Sequence, residues 1–308
     1  MTATPAERLT GIDRIPRTGL RVYFKALRPR NWAKNLLVFV PLLAAHRVDE
    51  VGLWEKAGIA FLAFGCCASA GYLLNDLLDL DADRHHPRKR FRPFAAGDLP
   101  LSYAHAMIPI LVCVGGILGA LLSPGFLGTL LFYIGLSVTY SLLLKKIAIL
   151  DVLVLAGLHS VRILAGSVAV GIGLSHWLLA FSTFLFFSLA LVKRYSELVI
   201  MRRVDGDGAH ARGYELDDRE LLASMGTASG YLAVLVLALY IAGDTAHALY
   251  AQRNLLWLLC PLLIYWISHV WLTAHRGRMH DDPLVFTACD RTSRILMFLM
   301  LATVILAQ

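Results

Sequence analysis

The sequence WEKAGIAFLAFGCCASAGYLLNDLLDLDAD, residues 54–83, joins an apolar run long enough to cross a membrane to a cluster of carboxylates. On a helix, four polar side chains of this cluster share one face: Asn75, Asp76, Asp79 and Asp83. Asp81 points away from that face. A bundle of apolar helices gives no packing reason for such a cluster, so it is the candidate active site.

Three carboxylates at this spacing repel one another and destabilise a bare helix unless a cation lies among them. Their ligand atoms are all oxygens, which favours a hard ion such as Mg²⁺ over zinc, which prefers histidine and cysteine. We therefore expect Asp76, Asp79 and Asp83 to be metal ligands, with Asn75 orienting them. The alternative is a solvated acidic helix end without a ligand.

Composition places the whole chain in a membrane. The 308 residues are 57% hydrophobic and 17% charged, with a mean hydropathy of +0.63, which is too apolar for a soluble domain. The apolar runs predict an all-α bundle of nine transmembrane helices, near residues 33–48, 54–78, 101–122, 126–144, 148–171, 176–194, 221–242, 254–274 and 292–307. No linker divides them, so we expect one domain, residues 1–308, with an N-terminal arm over residues 1–30.

Charge sets the expected orientation. Nearly all of the 29 lysines and arginines fall in the N-terminal arm and in alternate loops. The positive-inside rule then places the arm and these loops in the cytoplasm. The sequence thus predicts a multi-pass protein of the inner (cytoplasmic) membrane, with its active site facing the cytoplasm. The five cysteines form no Cys-x-x-Cys pair, which argues against a disulfide or zinc framework.

Basic residues lie beside the acidic motif and suit phosphate. The segment RHHPRKRFRP, residues 84–93, supplies Arg90 and Arg92, and YSLLLKK, residues 140–146, supplies Lys145. Cations beside metal-binding carboxylates suit a magnesium-bound phosphate ester. Ordinary topology and attraction to lipid headgroups are the alternative for a basic run taken by itself.

Further charged residues lie outside these two basic segments. Arg162 lies well inside a predicted span and must face the bundle interior, where a carboxylate or a substrate phosphate is the expected partner. In KRYSE, residues 193–197, Lys193 and Glu197 form either a helix salt bridge or part of a phosphate and metal site. The cluster His280, Asp281 and Asp282 is expected to be a solvated loop.

With these residues in view, the chain resembles the UbiA superfamily of membrane prenyltransferases. The motif Asn-Asp-x-x-Asp-x-x-x-Asp matches Asn75, Asp76, Asp79 and Asp83, and the basic stretch ending at Arg92 follows it. The resemblance implies nine helices around a cavity open to the cytoplasmic leaflet, magnesium on the acidic motif and an isoprenoid tail in a lipid-facing tunnel.

Three segments look most like the decaprenyl-phosphate phosphoribosyltransferase branch: LRPRNWAKN (27–35), YSLLLKK (140–146) and KRYSEL (193–198). Members that prenylate aromatic rings usually carry a second motif, Asp-x-x-x-Asp, where this chain reads KRYSE. Residues 212–234 and 275–286 depart from that branch and resemble a side group whose substrates these motifs do not assign.

The leading hypothesis is transfer of a 5-phosphoribosyl group from phosphoribosyl diphosphate to a polyprenyl (decaprenyl) phosphate. Donor phosphates would bind four basic residues: Arg90, Arg92, Lys193 and Arg194. The acceptor phosphate would lie near Lys34 and Lys145. Arg162 and Glu197 are further candidates for substrate binding. The expected partners are a lipid phosphate and a phosphorylated sugar in a membrane, without nucleic acid; a homo-oligomer is left open.

Two alternatives remain. An aromatic prenyltransferase of the 4-hydroxybenzoate type would keep the fold and use a prenyl diphosphate. It would require a second acidic cluster, and Glu197 is a single acidic residue at that position. A transporter would place charges near the bilayer midplane on broken helices. Here nearly all the charge lies at one predicted face, which disfavours a transporter.

Overall fold

The computed structural model describes residues 19–85, 89–205, 213–279 and 282–308. All of the secondary structure elements in these ranges are helices. The α-helices are α1 (Leu20–Ala26), α2 (Val40–Ala44), α3 (Val51–Leu78), α4 (Leu80–His85), α5 (Leu101–Leu122), α6 (Pro124–Leu142), α7 (Leu150–Val170), α8 (His176–Asp205), α9 (Arg219–Ala242), α10 (Asp244–Leu249), α11 (Leu259–His275), α12 (Pro283–Cys289) and α13 (Arg291–Ala307). The predicted all-α class is confirmed for this part of the chain. Most of the N-terminal arm, residues 1–18, lies outside it.

Seven stretches of the described chain are long and apolar enough to cross a membrane: Val51–Leu78, Leu101–Leu122, Pro124–Leu142, Leu150–Val170, His176–Arg202, Leu216–Ala242 and Arg253–His275. The predicted count of nine is not confirmed. The predicted first span, 33–48, is instead a 3₁₀ helix (Pro29–Phe39) that leads into the short α2, where Pro41 has no amide hydrogen to donate. The predicted last span corresponds to α13, which has only 17 residues.

Helix α7 lies between the two main parts of the core. Val152, Ala156 and Ile163 pack in a cluster with α8, α9 and α11. Leu158 and Ala165, on another face of α7, pack in a second cluster with α3 and α6. Because both faces of α7 pack against other helices, α7 is shielded from lipid on two sides and can hold charged side chains at its N-terminal end and in its interior.

The 3₁₀ segment Pro29–Phe39 lies directly against α7 and α3. A side chain at Gly166 of α7 would meet the main chain of Val38, since its Cβ would lie 2.0 Å from the Val38 carbonyl oxygen. On the other side, the indole Nε1 of Trp32 donates to Ser69 Oγ of α3 at 3.0 Å. These contacts position Lys34, between Trp32 and Val38, at the polar end of the bundle.

Candidate active site

Two buried carboxylates form the centre of the acidic motif. Asp76, near the end of α3, and Asp83, in α4, are each 2% exposed. Arg92 Nη1 donates to both of them, at 3.3 Å from Asp76 Oδ1 and closer still to Asp83 Oδ2. Arg28 Nη2 also donates to Asp76 Oδ1, and its guanidinium group lies over the Tyr72 ring at 5.3 Å. The pair of acids is thus held by two arginines from distant parts of the sequence.

Asp79 lies where α3 ends and α4 begins. Its backbone amide still donates to Asn75 at 2.9 Å and its carbonyl accepts from Asp83 at 2.8 Å, so the helical path continues through the junction. Its side chain turns to a different partner, because Lys145 Nζ donates to Asp79 Oδ1 at 2.8 Å. Asp81 is 91% exposed beside Arg84, as expected for a residue off the acidic face. Asn75 is partly buried next to Asp76.

The geometry can be compared with the needs of a metal. In the described residues no group of three or more His, Cys, Asp or Glu side chains is arranged to hold a metal ion. Asp76 and Asp83 converge on Arg92, whereas Asp79 pairs with Lys145. Asp76 Oδ2, however, is buried and has no hydrogen-bond partner among the described residues. An unpaired anionic oxygen in an all-oxygen cluster fits a hard divalent ion. The assignment of the three ligands stays a prediction.

Lys34 and Lys193 meet at Asp282, a residue that the sequence did not assign to the site. Asp282 Oδ2 accepts from Lys34 Nζ at 2.5 Å and lies 3.7 Å from Lys193 Nζ. Burial by itself would raise the pKa of Asp282, but the two lysines outweigh burial and hold that pKa well below its usual range. The expected solvated loop is therefore wrong for Asp282, while His280 and Asp281 lie outside the described residues.

A sequence signal for Asp282 existed but pointed to another role. Aspartate before proline at the start of an apolar segment indicates a helix N-cap. Asp282 Oδ1 does accept from the Leu284 amide at 3.1 Å at the start of α12. Its partner Lys34 is 248 residues away in the sequence, and no local pattern indicates that contact.

Arg194 belongs to a buried network and not to an open phosphate site. Its side chain is 1% exposed, and its Nε donates to Asp151, its Nη1 to Glu197 and its Nη2 to Tyr140. Tyr214 Oη donates to the other oxygen of Asp151 at 2.5 Å. Glu197 therefore pairs with Arg194, three residues earlier, and Lys193 Nζ lies 3.7 Å from Asp282 Oδ2.

Tyr214 also fixes the turn that carries Lys145. Its hydroxyl oxygen accepts from the Ile149 amide at 2.7 Å, and Ile149 has a positive φ of 65°, which is unfavourable for a β-branched residue. Burial, and next the hydrogen bond to Asp151, raise the pKa of the Tyr214 hydroxyl, so it remains a donor at neutral pH. The residues before α7 are thus held by a side chain from a later loop.

Arg162 faces the bundle interior, as predicted, and is 4% exposed. Its Nε donates to Asn35 Oδ1 at 2.9 Å, its Nη2 to Tyr133 Oη at 2.8 Å and its Nη1 to the Leu158 carbonyl at 2.5 Å. All of these partners are neutral. Its charge therefore adds to the positive potential around Lys34, the neighbour of Asn35.

Arg90 differs from the other predicted cations. It is exposed, and its guanidinium group lies over the Phe91 ring at 4.9 Å. The structure therefore groups the predicted residues into three clusters: the acidic motif with Arg28, Arg92 and Lys145; Asp282 with Lys34 and Lys193; and Asp151 with Arg194 and Glu197. The first two hold partly exposed cations that can bind phosphate oxygens.

The chain matches the profile of a known protein family and is similar to several known proteins. Residues 36–303 match the profile of the UbiA prenyltransferase family. The nodulation protein NoeC of Azorhizobium caulinodans is 36% identical over 273 residues, which cover 89% of each chain. The protein y4nM of Sinorhizobium fredii is 36% identical over 288 residues, 93% of this chain and 56% of that protein. This chain thus spans just over half the length of that relative.

Decaprenyl-phosphate phosphoribosyltransferase of Mycobacterium tuberculosis is 39% identical over 184 residues, 58% of this chain and 61% of that enzyme. Among solved structures, a UbiA homologue from Archaeoglobus fulgidus bound to GPP and Mg²⁺ superposes with a TM-score of 0.65 at 17% identity, over 92% of this chain and 99% of that one. The structural likeness shows a shared fold, and the family match covers most of the chain. The chain therefore belongs to the UbiA prenyltransferase family.

Proposed function

We propose that the protein transfers a 5-phosphoribosyl group from phosphoribosyl diphosphate to a polyprenyl phosphate such as decaprenyl phosphate. The reaction would take place at the cytoplasmic face of the inner membrane. The bond formed joins a phosphate oxygen of the lipid to the anomeric carbon of ribose. The bond broken is the one between that carbon and the diphosphate, which leaves with the electron pair. Both substrates are anionic, so the site must neutralise more charge than a prenyl diphosphate alone would bring.

The leaving diphosphate would lie at the acidic motif. Asp76, Asp79 and Asp83 are the residues that would hold magnesium there, with Asn75 orienting them. When bound, the ion supplies neutralisation of the charge that grows on the diphosphate. Arg92, between Asp76 and Asp83, would bind diphosphate oxygens directly.

The donor's other phosphate would be bound by lysines. Lys34 was expected at the acceptor phosphate with Lys145, but its ammonium group meets Lys193 at Asp282, so we assign both Lys34 and Lys193 to the donor. Arg90, which is exposed at the surface, would add a further cation that binds the donor phosphates. Arg194, which is buried and paired with Glu197, would position the helix that carries Lys193.

The acceptor phosphate would lie at Lys145, beside the acidic motif. A lipid phosphate is already ionised at neutral pH, so its attack needs no general base. Catalysis is then positioning of two anions in line and neutralisation of their charge. Arg162, buried without a carboxylate among its hydrogen-bond partners, would strengthen the positive potential that draws them in.

A cavity suits the lipid tail. A volume of about 420 Å³, lined mostly by apolar side chains, lies at the ends of α7 and α9 opposite the charged clusters, next to Pro41, Phe181 and Tyr240. Such a cavity can take part of a long isoprenoid chain. This supports a polyprenyl substrate, although it does not distinguish a polyprenyl phosphate from a polyprenyl diphosphate.

The observation that carries the proposal is the convergence of Lys34 and Lys193 on Asp282, apart from the acidic motif. A donor with a diphosphate and a separate phosphate requires two cationic groups, whereas a prenyl diphosphate requires one. The main alternative, an aromatic prenyltransferase, would use an acid at the second motif. There Glu197 is already paired with Arg194, which weakens that alternative.

A direct assay separates the two functions. Purified protein in detergent with magnesium would be offered phosphoribosyl diphosphate with polyprenyl phosphate, or a prenyl diphosphate with 4-hydroxybenzoate, and the lipid products resolved by mass. We expect product only from the first pair, and loss of that product with EDTA. Prenylated 4-hydroxybenzoate without any phosphoribosyl lipid would overturn the proposal in favour of the aromatic prenyltransferase.

A further inference from the structure

A small cavity with four polar side chains in its lining lies beside the Asp282 cluster. Its volume is about 40 Å³, and its polar lining consists of Lys34, Lys193, Asp282 and His159, with Phe186 and Leu155 among its apolar walls. Two ammonium groups face one carboxylate, so the cavity carries a net positive charge when the imidazole is neutral. The cavity is therefore suited to an anion. Its other two polar side chains, Asp282 and neutral His159, can accept hydrogen bonds.

His159 presents an unused acceptor to this cavity. Its Nδ1 lies 2.7 Å from the Leu155 carbonyl oxygen, to which it can only donate. In the neutral ring, Nε2 then carries a lone pair and no hydrogen. Nε2 is buried and has no partner among the described residues, while the ring stacks on Phe186 at 5.1 Å between centroids. A buried acceptor of this kind calls for a donor from a ligand.

Asp282 is the second acceptor. Its Oδ1 caps α12 and its Oδ2 accepts from Lys34, which leaves lone pairs on both oxygens. A carboxylate and an unprotonated imidazole nitrogen both repel phosphate oxygens. A site that binds only inorganic phosphate would therefore not contain them. A hydroxylated ligand that also carries phosphate satisfies acceptors and lysines together.

We propose that this cavity is the inner end of a sugar phosphate subsite, whose ligand extends from the cavity toward the acidic motif. Lys34 and Lys193 bind the phosphate monoester, and Asp282 and His159 Nε2 accept hydrogen bonds from sugar hydroxyls. The inference rests on the proposed function, in which the ligand is the phosphoribosyl half of the donor. It adds two residues, His159 and Asp282, that favour a hydroxylated phosphate ester over inorganic phosphate.

The cavity and the acidic motif are linked by one rigid segment. Arg28 contacts Asp76, and Lys34, six residues later on the 3₁₀ helix, contacts Asp282. At a 3₁₀ rise of about 2 Å per residue, the two contacts start about 12 Å apart. A five-carbon sugar with a diphosphate at one end and a phosphate at the other can contact both groups.

Binding of two probes separates the roles of these residues. Ribose 5-phosphate and inorganic phosphate would each be titrated into the full-length protein in detergent by calorimetry. We expect the wild type to bind ribose 5-phosphate at least about tenfold more tightly than inorganic phosphate. In Asp282→Asn and His159→Phe this preference should fall about tenfold or vanish. Asn still caps α12, and Phe still stacks on Phe186.

Three further variants serve as controls. Lys193→Ala should weaken both probes alike, because it removes a phosphate contact. His159→Gln, with an amide oxygen near the position of Nε2, should keep part of the preference. Asp81→Asn, in an exposed position, should bind both probes like the wild type.

The possible outcomes test the sugar phosphate subsite separately from the proposed phosphoribosyl transfer. A wild type without a preference for ribose 5-phosphate, or unchanged preference in both Asp282→Asn and His159→Phe, overturns the sugar subsite even if phosphoribosyl transfer is observed. The expected preference in a protein that fails to use phosphoribosyl diphosphate supports the subsite and overturns the proposed function.

Discussion

Among single residues, Asp76 is the most strongly constrained carboxylate of the acidic motif. Two arginines bind one of its oxygens, and the other is buried without a hydrogen-bond partner in the described part of the chain. We predict that Asp76→Asn, which preserves shape but removes charge, lowers turnover at least about a hundredfold while the protein still inserts and purifies. Asp81→Asn is the matched control and should keep wild-type turnover. A tenth or more of wild-type activity in Asp76→Asn would show that the acidic motif does not hold the metal.

Asp282 gives a prediction for pH. Its folded pKa lies below the unfolded value of about 3.9, because Lys34 and Lys193 outweigh burial. Its stabilising effect is therefore complete above about pH 5 and is lost as the pH falls through the folded pKa. The difference in unfolding temperature between wild type and Asp282→Asn should stay constant from about pH 7 to about pH 5 and shrink below about pH 4. A difference that grows on acidification would contradict the ion pairs.

At the scale of elements, the contact between α7 and the Pro29–Phe39 segment depends on a missing side chain. Gly166→Ala places a methyl group against the Val38 carbonyl, so one main chain must move, and we expect a loss of about 1–3 kcal/mol in unfolding free energy. Gly157→Ala in the same helix meets nothing within 4 Å and should be neutral or stabilising by up to about 1 kcal/mol. Denaturant titration in detergent measures both, and equal effects would exclude the close contact.

The conformation of the turn before α7 depends on Tyr214, which comes from a later loop. Tyr214→Phe removes the hydrogen bonds to the buried Asp151 and to the partly buried Ile149 amide, at a cost of about 1–3 kcal/mol in unfolding free energy. Since the turn also carries Lys145, the KM for polyprenyl phosphate should rise. Tyr231→Phe, at an exposed position, should change neither quantity. Unchanged stability in Tyr214→Phe would mean that the turn holds its conformation without this tyrosine.

For the whole molecule, the uneven distribution of charge predicts the orientation. Glu50 and Asp81 are exposed just beyond opposite ends of α3, whose 28 residues span about 42 Å. In a variant without native cysteines, Asp81→Cys should react with an impermeant maleimide in inside-out vesicles only. Glu50→Cys should react only in intact right-side-out cells. The reverse pattern would place the acidic motif outside the cytoplasm and refute the positive-inside assignment.

Local sequence determined the class of fold and the centre of the site. Seven of the nine predicted apolar runs form stretches of the described chain long enough to cross a membrane, and the three- and four-residue spacing puts Asp76 and Asp83 on one buried face. Helix spacing also places Asp81 outside that face. These properties depend on the backbone and on nearby residues, so they can be predicted from one segment at a time.

Tertiary structure alone decided which charges meet. Lys34 pairs with Asp282 across 248 residues, and Arg194 pairs with Asp151 across 43. The same packing leaves Pro29–Phe39 as a 3₁₀ segment where a full membrane helix was expected. A buried charge must find a partner wherever the fold brings one, because leaving it unpaired in an apolar interior costs several kcal/mol. Pairing therefore follows the packing of distant helices and is absent from any local pattern.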